Sequence, residues 1–363
     1  MARANGTFEA QRKEVHWNFP SGTCQVNHCI NFDEYGIKTN KKQTNEMIQN
    51  CSLEDHLNIT KQNITERIPE EDYDGLAIID LEGMAANFRP KFLGKKECKP
   101  TCHNCISHSS FRTQTLSVFE VFRNQSIALL RVKNSSLRNE NETIVEKLAE
   151  KEFNEAAREF FVRKIRLGRE LRPKAKWGFY GFPYCNYNAG KNVTYKCWKK
   201  YQDWNDNMTF IFNESTALFP SIYLGSNATS RERFQYVQAV LEEARRISRK
   251  FTPPLPIYAY TKIEYDPLKK INSSYDKHDL CSTIKQPADL GIDGIIIWSS
   301  SRNIAVKIKQ TIDQHRTCRK NRWCDHGRCV LPMNTTCPDF TINTDQYKCE
   351  CDKGYVGDFC SSE

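Results

Sequence analysis

Short apolar runs bounded by turn residues recur along this chain. Near-continuous hydrophobicity over about four to eight residues is typical of strands buried on both faces, as in parallel sheets. Six runs fit this description, beginning at residues 14, 75, 176, 218, 255 and 291: EVHWNFP, GLAIIDLE, KWGFYGFP, LFPSIYLG, LPIYAYT and GIDGIIIWSS. We therefore predict six strands at these positions.

Two longer stretches between the runs, residues 142–171 and 230–251, carry apolar residues at helical spacing opposite charged ones. The apolar faces are Phe153, Ala156, Phe160 and Leu167 in the first and Val237, Val240, Leu241, Ala244, Ile247 and Phe251 in the second. Strands that alternate with helices predict an α/β fold, a (β/α) barrel of the TIM type. An open doubly wound sheet is less favoured, because no Gly-rich phosphate loop follows any strand.

The composition changes at Cys318, where helical periodicity stops. Seven of the 16 cysteines lie in the last 46 residues, and the ending CECDKGYVGDFC has the spacing of an epidermal-growth-factor-like (EGF-like) module. We predict a barrel domain over residues 1–317 and a small disulfide-rich EGF-like module over residues 318–363.

The cysteines also indicate an oxidising compartment, and twelve Asn-X-Ser/Thr sequons indicate the secretory pathway. We therefore predict a secreted protein, extracellular or lysosomal. The opening MARANGTFEAQRKEV is too polar for a signal peptide. Either the leader lies outside this sequence, which we favour, or the inference of secretion is wrong. We predict no transmembrane segment, since no apolar run reaches about 18 residues.

The formal charge is positive, with 53 basic residues against 44 acidic ones giving +9. Such a balance suits an acidic partner, whether nucleic acid, a membrane surface or a polyanionic sugar. The basic residues are scattered in pairs such as Lys41-Lys42, so a merely solvated surface is an equally good interpretation.

The run GLAIID is followed by a second acid, so that Asp80 and Glu82 stand two residues apart. In a strand such residues share a face, with Cβ atoms roughly 6 to 7 Å apart. At the carboxyl end of a barrel strand this face opens onto the mouth where barrel enzymes work. A like-charge neighbour raises the pKa of one carboxyl, which can then serve as a general acid. The alternative is an ordinary polar strand end with both acids solvated.

Aromatic residues with polar tips end several other predicted strands. These are Tyr180, Tyr223, Tyr258, Tyr260 and Trp298. Aromatic faces stack on sugar rings, so a mouth lined by them and by two acids indicates carbohydrate hydrolysis. Simple core filling remains the better interpretation for Phe179 and Phe182.

At this point the chain resembles the animal hyaluronidases, a family of glycoside hydrolases. The matching segments follow the family's order along most of the chain: VHWNFP with Cys24, DGLAIIDLEG, LRPKAKWGFYGFPYC, ALFPSIYL, LGIDGIIIWSS and the terminal module. The resemblance implies an endo-β-N-acetylhexosaminidase that cleaves hyaluronan, chondroitin or both. We expect the protein to need no cofactor or metal, to act as a monomer on a glycosaminoglycan, and to have no nucleic-acid partner.

The resemblance also implies roles for individual residues. Glu82 would be the proton donor, and Asp80 would orient the substrate's N-acetyl group, whose carbonyl oxygen is the nucleophile. Tyr223 would assist, Tyr180 and Trp298 would shape the subsite, and Arg89 would brace the acids. Two acids on one strand approach the sugar from one side, which suits this substrate-assisted route better than an opposed pair of acids.

The disulfides that the resemblance implies are Cys185–Cys197, Cys318–Cys329, Cys324–Cys349 and Cys351–Cys360. Cys337 is left over. Cys24 lacks its usual partner, because Gln310 lies near that position; Cys281 and Cys29 are the alternatives.

Three departures from the family pattern bear on activity. About 30 residues are missing between Gly36 and Asp72, enough to remove one barrel strand and leave ladder edges unpaired. Four extra residues between Gly83 and Phe88 displace Arg89. An insert at 94–110 adds cysteines and histidines.

The insert holds Cys98, Cys102, Cys105, His103 and His108. This spacing is compatible with a zinc knuckle, although pairing with Cys29, Cys51 or Cys337 is preferred in an oxidised chain. Because of these departures, a catalytically impaired glycan-binding or adhesion protein is the alternative function. A metal-binding or nucleic-acid-binding protein has little beyond charge and three cysteines to support it.

Overall fold

The computed structural model describes residues 9–10, 14–18, 52–80, 118–191, 195–225, 227–265, 274–298, 324, 326–330, 337 and 348–362. The chain divides into two compact units. The first consists of Met1–Trp17, Glu70–Asp80 and Arg172–Glu363, and the second of Asn18–Pro69 and Leu81–Leu171. The predicted boundary between residues 317 and 318 lies outside the described residues and stays a prediction.

The first unit is built on parallel strands. They are β1 (Glu9–Ala10), β2 (Glu14–Asn18), β3 (Leu76–Asp80), β4 (Lys176–Phe179), β5 (Tyr258–Thr261) and β6 (Gly294–Ile297). β3 pairs with β2 on one side and, in parallel, with β4 on the other, while β6 pairs in parallel with both β5 and β1. Five of the six predicted strands are thus confirmed.

The sixth predicted strand, at residues 218–225, is only a set of isolated parallel bridges. Phe219 bridges to Tyr180, Leu218 to Ile257 and Ser221 to Tyr260, so the segment still joins β4 to β5. Pro220 lacks an N–H group and cannot donate to a ladder, which explains why no continuous strand forms here. The pairings therefore run β2, β3, β4, residues 218–221, β5, β6, β1.

The shorter segment between Gly36 and Asp72 was expected to leave strand edges unpaired, but the edge of β3 is paired. β2 pairs directly with β3, so the edge of β3 is not left unpaired. β1 and β2, which stand at the two ends of the series of pairings, are separated by three residues of chain. The shortened segment between Gly36 and Asp72 is thus compatible with a continuous series of strands.

Side chains from one face of these strands form a common core. Its buried members are Leu76, Ile78, Ala217, Phe219, Tyr258, Tyr260 and Ile296. They occur at every second position of each strand, as expected for side chains on the same face. Gly178 allows the close approach of β4 to its neighbour, because a Cβ there would lie 2.4 Å from the carbonyl oxygen of Ala217. We call this shared face the inner face of the strand series, because its side chains form the core.

Helices follow the strands in the same unit. They are α4 (Lys199–Asn207), α5 (Thr209–Glu214), α6 (Ser230–Ser248), α7 (Lys277–Leu280), a π-helical turn (Cys281–Lys285) and α8 (Gln286–Asp289), with a 3₁₀ turn at Ala189–Lys191. A capping box between Thr229 and Glu232 begins α6. The helix ends at Ser248 with Arg249 as its C-cap, so the predicted end at Phe251 was three residues too late.

The second unit is helical where it is described. It comprises α1 (Leu53–Arg67), α2 (Val118–Lys133), a 3₁₀ turn (Ser135–Leu137) and α3 (Glu142–Leu171), and the predicted bounds of α3 are confirmed. Phe153 and Phe160 are buried as predicted, but Ala157 is fully buried where Ala156 was expected. α2 and α3 share an apolar cluster that includes Ile127, Leu130 and Val145.

A terminal hairpin of β7 (Gly327–Val330) and β8 (Lys348–Cys351) pairs antiparallel. Disulfides join Cys324 to Cys349 and Cys351 to Cys360, the pairs that the resemblance implies. Cys318 lies outside the described residues, so its pairing with Cys329 stays a prediction. Arg245 of α6 and Arg249, the C-cap of that helix, form ion pairs with Glu350 of the hairpin.

Cys337 is not left over, because it forms a disulfide with Cys281 in the π-helical turn. This bond corrects two expectations: Cys281 is not the partner of Cys24, and Cys337 is not the partner of the inserted cysteines. The pairing joins residues 56 positions apart and connects the terminal segment to the helices that precede β6.

The Cys281–Cys337 bond should contribute more to stability than the short-range Cys351–Cys360 bond, because closing a longer loop removes more entropy from the unfolded chain. We expect C281S/C337S to lose about 2–5 kcal/mol of unfolding free energy and C351S/C360S to lose less, measured by denaturant unfolding. A non-reducing peptide map that joins Cys281 to any other cysteine would contradict the pairing.

His56 of α1 makes the second unit sensitive to acid. Its ring lies 4.6 Å from that of Phe160, and burial, with the charge of Lys164 adding to it, lowers the pKa of His56 to about 3. As the pH falls through about 6.5, His56 becomes protonated in the unfolded chain but stays neutral in the folded chain. The stability that neutral His56 contributes is complete above pH 6.5 and is lost progressively as the pH falls towards 3.

We expect the wild-type protein to lose about 2 kcal/mol of unfolding free energy between pH 7 and pH 5 through His56 alone. The variant H56Q should show a correspondingly smaller loss, whereas H278Q, which removes a histidine from α7, should retain the wild-type dependence. Denaturant unfolding at the two pH values measures both, and an unchanged slope in H56Q would contradict the assignment.

Candidate active site

The inner face of the strand series carries apolar residues until the strands end, and polar-tipped residues follow at the next inner position. In β3 the inner residues are Leu76 and Ile78, so alternation places Asp80 on the same face. Asp80 is only 5% exposed. A buried carboxylate is costly unless polar or charged groups compensate it, so this position is unusual for a structural residue.

Tyr180 lies beside Asp80 because β3 and β4 pair in register, with Ile79 opposite Phe179. The Tyr180 N–H donates to the carbonyl oxygen of Ile79 at 3.0 Å. Its phenol oxygen lies 3.3 Å from the Ser221 hydroxyl, which belongs to the next segment of the series. Tyr180 is thus positioned by both neighbours.

Tyr223 follows two residues after Ser221 and packs against the same core. Its ring centroid lies 6.2 Å from that of Tyr180. The backbone around it is fixed on both sides: the Leu224 N–H donates to the phenol oxygen of Tyr275 at 3.0 Å, and the Tyr236 hydroxyl donates to the Ser221 carbonyl at 3.4 Å. Tyr223 therefore has a defined place next to Tyr180.

Lys262 joins this group from the neighbouring strand, and the sequence-based prediction missed it. It stands two residues after Tyr260, the last inner residue of β5, and its Nζ lies 4.6 Å from the centroid of the Tyr223 ring. The same alternation that pointed to Asp80 could have found it. A cation on the face of an aromatic ring is favourable by about 0.5–2 kcal/mol.

Trp298 ends the next strand along. It follows inner residue Ile296 at the right spacing, its N–H donates to the Thr261 carbonyl at 2.9 Å, and its side chain is 47% exposed. An exposed indole at this position can stack on a sugar ring.

Tyr258 and Tyr260 were expected to line the mouth, but their side chains are 6% and 0% exposed. Both belong to the core, and the Tyr260 ring meets the Tyr180 ring edge-on with centroids 4.9 Å apart. The expectation is corrected: both rings lie in the core, where the Tyr260 ring contacts that of Tyr180 and the Tyr258 ring stacks on that of Phe219.

The electrostatic surroundings of Asp80 include Tyr184, which follows the turn after β4. Burial raises the pKa of the Tyr184 phenol above its ordinary value, and the charges of Tyr187, Tyr180 and Asp80 raise it further. The phenol therefore stays protonated, which suits a hydrogen-bonding site that contains a carboxylate.

The disulfide Cys185–Cys197 closes the loop after β4. It is the pair that the resemblance implies at the mouth. The Asn186 side chain accepts a hydrogen bond from the Trp198 N–H at 2.9 Å, so both ends of the loop are held together. The loop therefore continues directly from the segment that carries Tyr180.

Several predicted site residues lie outside the described residues, namely Glu82, Arg89 and the cysteines and histidines of the 94–110 insert. Within the part of the chain that is described, no group of three or more His, Cys, Asp and Glu side chains could hold a metal ion. In that same part, no helix is long and apolar enough to cross a membrane.

Parallel strands present a buried carboxylate, tyrosines and an exposed tryptophan near their carboxyl ends, and these residue types are suited to binding and hydrolysing sugars. Family comparison places the chain among the glycoside hydrolases. The profile of glycoside hydrolase family 56, described as hyaluronidase, matches residues 34–320. The chain belongs to the hyaluronidase family.

Individual relatives agree with this assignment. The chain is 29% identical to a chondroitin hydrolase of Caenorhabditis elegans over 98% of its own length and 81% of that protein. It is 34% identical to mouse hyaluronidase-5 over 74% of its length, and 33% identical to human hyaluronidase PH-20 over 69%. These matches span only 46% and 44% of the two mammalian proteins.

Solved structures show the same likeness. Bee venom hyaluronidase is 27% identical with a TM-score of 0.58, over 76% of this chain and 78% of the bee protein. A second structure of the bee protein, in complex with a hyaluronic acid tetramer, matches over 80% of both chains with a TM-score of 0.59. At 24% identity, the second match supports the fold alone.

Proposed function

We propose that this chain is an endo-β-N-acetylhexosaminidase that hydrolyses β-1,4 bonds of hyaluronan, chondroitin or both, by a substrate-assisted retaining mechanism. The observation that carries the proposal is the placement of Asp80, Tyr180 and Tyr223 on one face, at the end of β3, after β4 and in the bridged segment between β4 and β5, next to a buried apolar core. A sugar bound there would meet a carboxylate from one side and aromatic faces around it.

Glu82 is proposed as the general acid. Its proton passes to the glycosidic oxygen as the bond from that oxygen to the anomeric carbon breaks. The carbonyl oxygen of the substrate's own N-acetyl group forms the new bond to the anomeric carbon, on the opposite face. Water then opens this cyclic intermediate, giving a proton to the Glu82 carboxylate, so two inversions give net retention.

Asp80 is proposed to accept a hydrogen bond from the N–H of the acetamido group, which holds its carbonyl oxygen in line for attack. The amide becomes positively charged as the new bond forms, so a carboxylate in a low-dielectric setting stabilises the transition state more than the ground state. This role gives a reason for placing a carboxylate in a site that is only 5% exposed.

The proposed substrate class fits the charges and the relatives. Hyaluronan and chondroitin carry a carboxylate on every second sugar, and Lys262 supplies a cation beside Tyr223. The worm relative is named a chondroitin hydrolase and the mouse and human relatives are named hyaluronidases, so both polymers remain proposed substrates.

The finer architecture is also proposed. The strand series begins and ends on β2 and β1, three residues apart, which supports a closed (β/α) barrel. The hairpin of β7 and β8 with its two disulfides supports an EGF-like module. Disulfides and sequons support a secreted, extracellular or lysosomal location, and we propose a monomer.

Replacing Glu82 tests the reaction and also separates hydrolysis from glycan binding alone. We expect wild-type protein to shorten hyaluronan or chondroitin between acidic and neutral pH, and E82Q to be about 10²–10⁴-fold slower. D80N should lose about 10²–10³-fold, because the acetamido group is no longer fixed and its charge no longer stabilised. Gel filtration of the polymer and reducing-end assays measure both.

The matched control is E155Q, which removes an exposed carboxylate from α3 and should leave the rate unchanged. If the wild-type chain cleaves neither polymer at any pH, the enzymatic proposal fails. Equal rates for E82Q and wild type would refute the role of Glu82. A product that first appears as the α-anomer in proton NMR would refute retention.

Lys262 gives a second test that depends on the observed geometry. We expect K262Q to lower kcat/KM on the polymer about 5- to 30-fold, the equivalent of about 1–2 kcal/mol, since both the ring contact and a positive charge are lost. K262R should retain most activity, and K277Q on α7 serves as the control. Wild-type kinetics in K262Q would show that Lys262 does not contribute.

A further inference from the structure

A second cluster of aromatic and basic side chains lies outside the strand ends. Lys200, near the start of α4, has its Nζ over three rings, at 5.1 Å from the centroid of Trp198, 5.6 Å from Tyr201 and 5.8 Å from Trp204. Tyr201 and Trp204 meet edge-on at 4.8 Å. We call these four residues, together with Tyr187, the aromatic–lysine patch.

The patch is accessible to solvent. Trp198 is 37% and Tyr187 is 79% exposed, and the Lys200 side chain is exposed as well. Trp198 thus presents an aromatic ring to solvent beside the Lys200 ammonium group, and the exposed Tyr187 lies in the loop that precedes it. An exposed indole beside an ammonium group is suited to binding a ligand that is both apolar and charged.

The patch is held rigidly. Its loop is closed by the Cys185–Cys197 disulfide, and Asn186 binds the Trp198 N–H. Gly190 lies so close to α6 that a Cβ there would be 1.8 Å from the Glu232 carbonyl oxygen. The Asn205 side chain of α4 contacts both backbone groups of Tyr184 and the Glu243 carboxylate. Little ordering entropy would therefore be lost on binding.

The positive charge of this region favours a negatively charged ligand. Residues 185–204 contain Lys191, Lys196, Lys199 and Lys200 against the single acid Asp203, a balance of 4 − 1 = +3. Asp203 forms an ion pair with Lys199, whereas the Lys200 ammonium group lies over the aromatic rings. Pyranose rings stack on aromatic faces, and their carboxylates pair with ammonium groups.

We propose that the aromatic–lysine patch is an auxiliary binding site for an acidic glycosaminoglycan chain, outside the cleavage site. The inference rests on the proposed function, because the polymer is the same. Asn205 of α4 bonds to both backbone groups of Tyr184, which follows Tyr180 in the segment after β4, so α4 and the patch on it are attached to the segment that leaves the proposed cleavage site. The patch would favour long chains over short fragments.

Polymer binding and cleavage by W198A and K200Q test the proposal. Both variants should bind hyaluronan or chondroitin about three- to tenfold more weakly than wild type, with binding that depends less on salt in K200Q. KM for the long polymer should rise by a similar factor while kcat is unchanged. The same variants should cleave a tetrasaccharide at the wild-type rate, because the proposal assigns the patch to long chains and leaves the cleavage site unchanged.

W198F and K151A complete the design. W198F keeps an aromatic face and should restore most of the polymer binding, which a merely structural role of Trp198 does not predict. K151A removes an exposed lysine from α3 and should bind like wild type. Equal polymer binding by W198A, K200Q and wild type, or an equal loss in K151A, would overturn the proposal.

Binding is measured on the full-length chain by biolayer interferometry with immobilised polymer, so it does not depend on cleavage. Selective loss of binding in W198A and K200Q from a protein that cleaves nothing would refute the proposed reaction and support the auxiliary site. Cleavage with a wild-type KM in both variants would support the proposed reaction and refute the auxiliary site.

Discussion

The register between β3 and β4 is the constraint on which the rest of the site depends. Because Ile79 pairs with Phe179, the next residues on the inner face, Asp80 and Tyr180, are placed side by side. Parallel bridges from Tyr180 to Phe219 and from Ser221 to Tyr260 align the next segments with β4. This alignment places Tyr223 and Lys262 in contact with each other near Tyr180. A slip of one residue in any of these pairings would turn the inner side chains outward and dismantle both the core and the site.

The apolar core and the proposed site are formed by successive residues on the same face of the strands. Leu76, Ile78, Phe219 and Tyr260 exclude water below, which lowers the dielectric around Asp80 above them. Burial of a carboxylate opposes folding, whereas the same burial strengthens its interaction with a developing positive charge. The stability lost at Asp80 is thus the condition for the role proposed for it, and the large aromatic core beneath offsets the loss.

Much of this arrangement could be predicted from the chain alone, because periodicity reports on burial. Five strands, α3 and most of α6 follow from apolar spacing, and alternation identifies Asp80, Tyr180, Tyr223 and Trp298 as neighbours. Three features could not be found in this way. Pro220 interrupts a ladder without changing hydropathy, the Cys281–Cys337 pair depends on long-range proximity, and the depth of Tyr258 and Tyr260 depends on which residue of a strand is its last.

Helix α6 shows most clearly what apolar spacing leaves out. The apolar face predicted from Val237, Val240, Leu241, Ala244 and Ile247 is buried, but so are polar residues around the rest of the helix. Gln238 contacts Gln286 of α8, Glu243 contacts Asn205 of α4, and Arg245 pairs with Glu350 of the terminal hairpin. Each of these contacts satisfies a polar group that would otherwise be costly to bury, so every partner has a fixed position on the helix. The loop of the aromatic–lysine patch and the terminal hairpin are thereby attached to one support through polar contacts, which a pattern of apolar residues does not record.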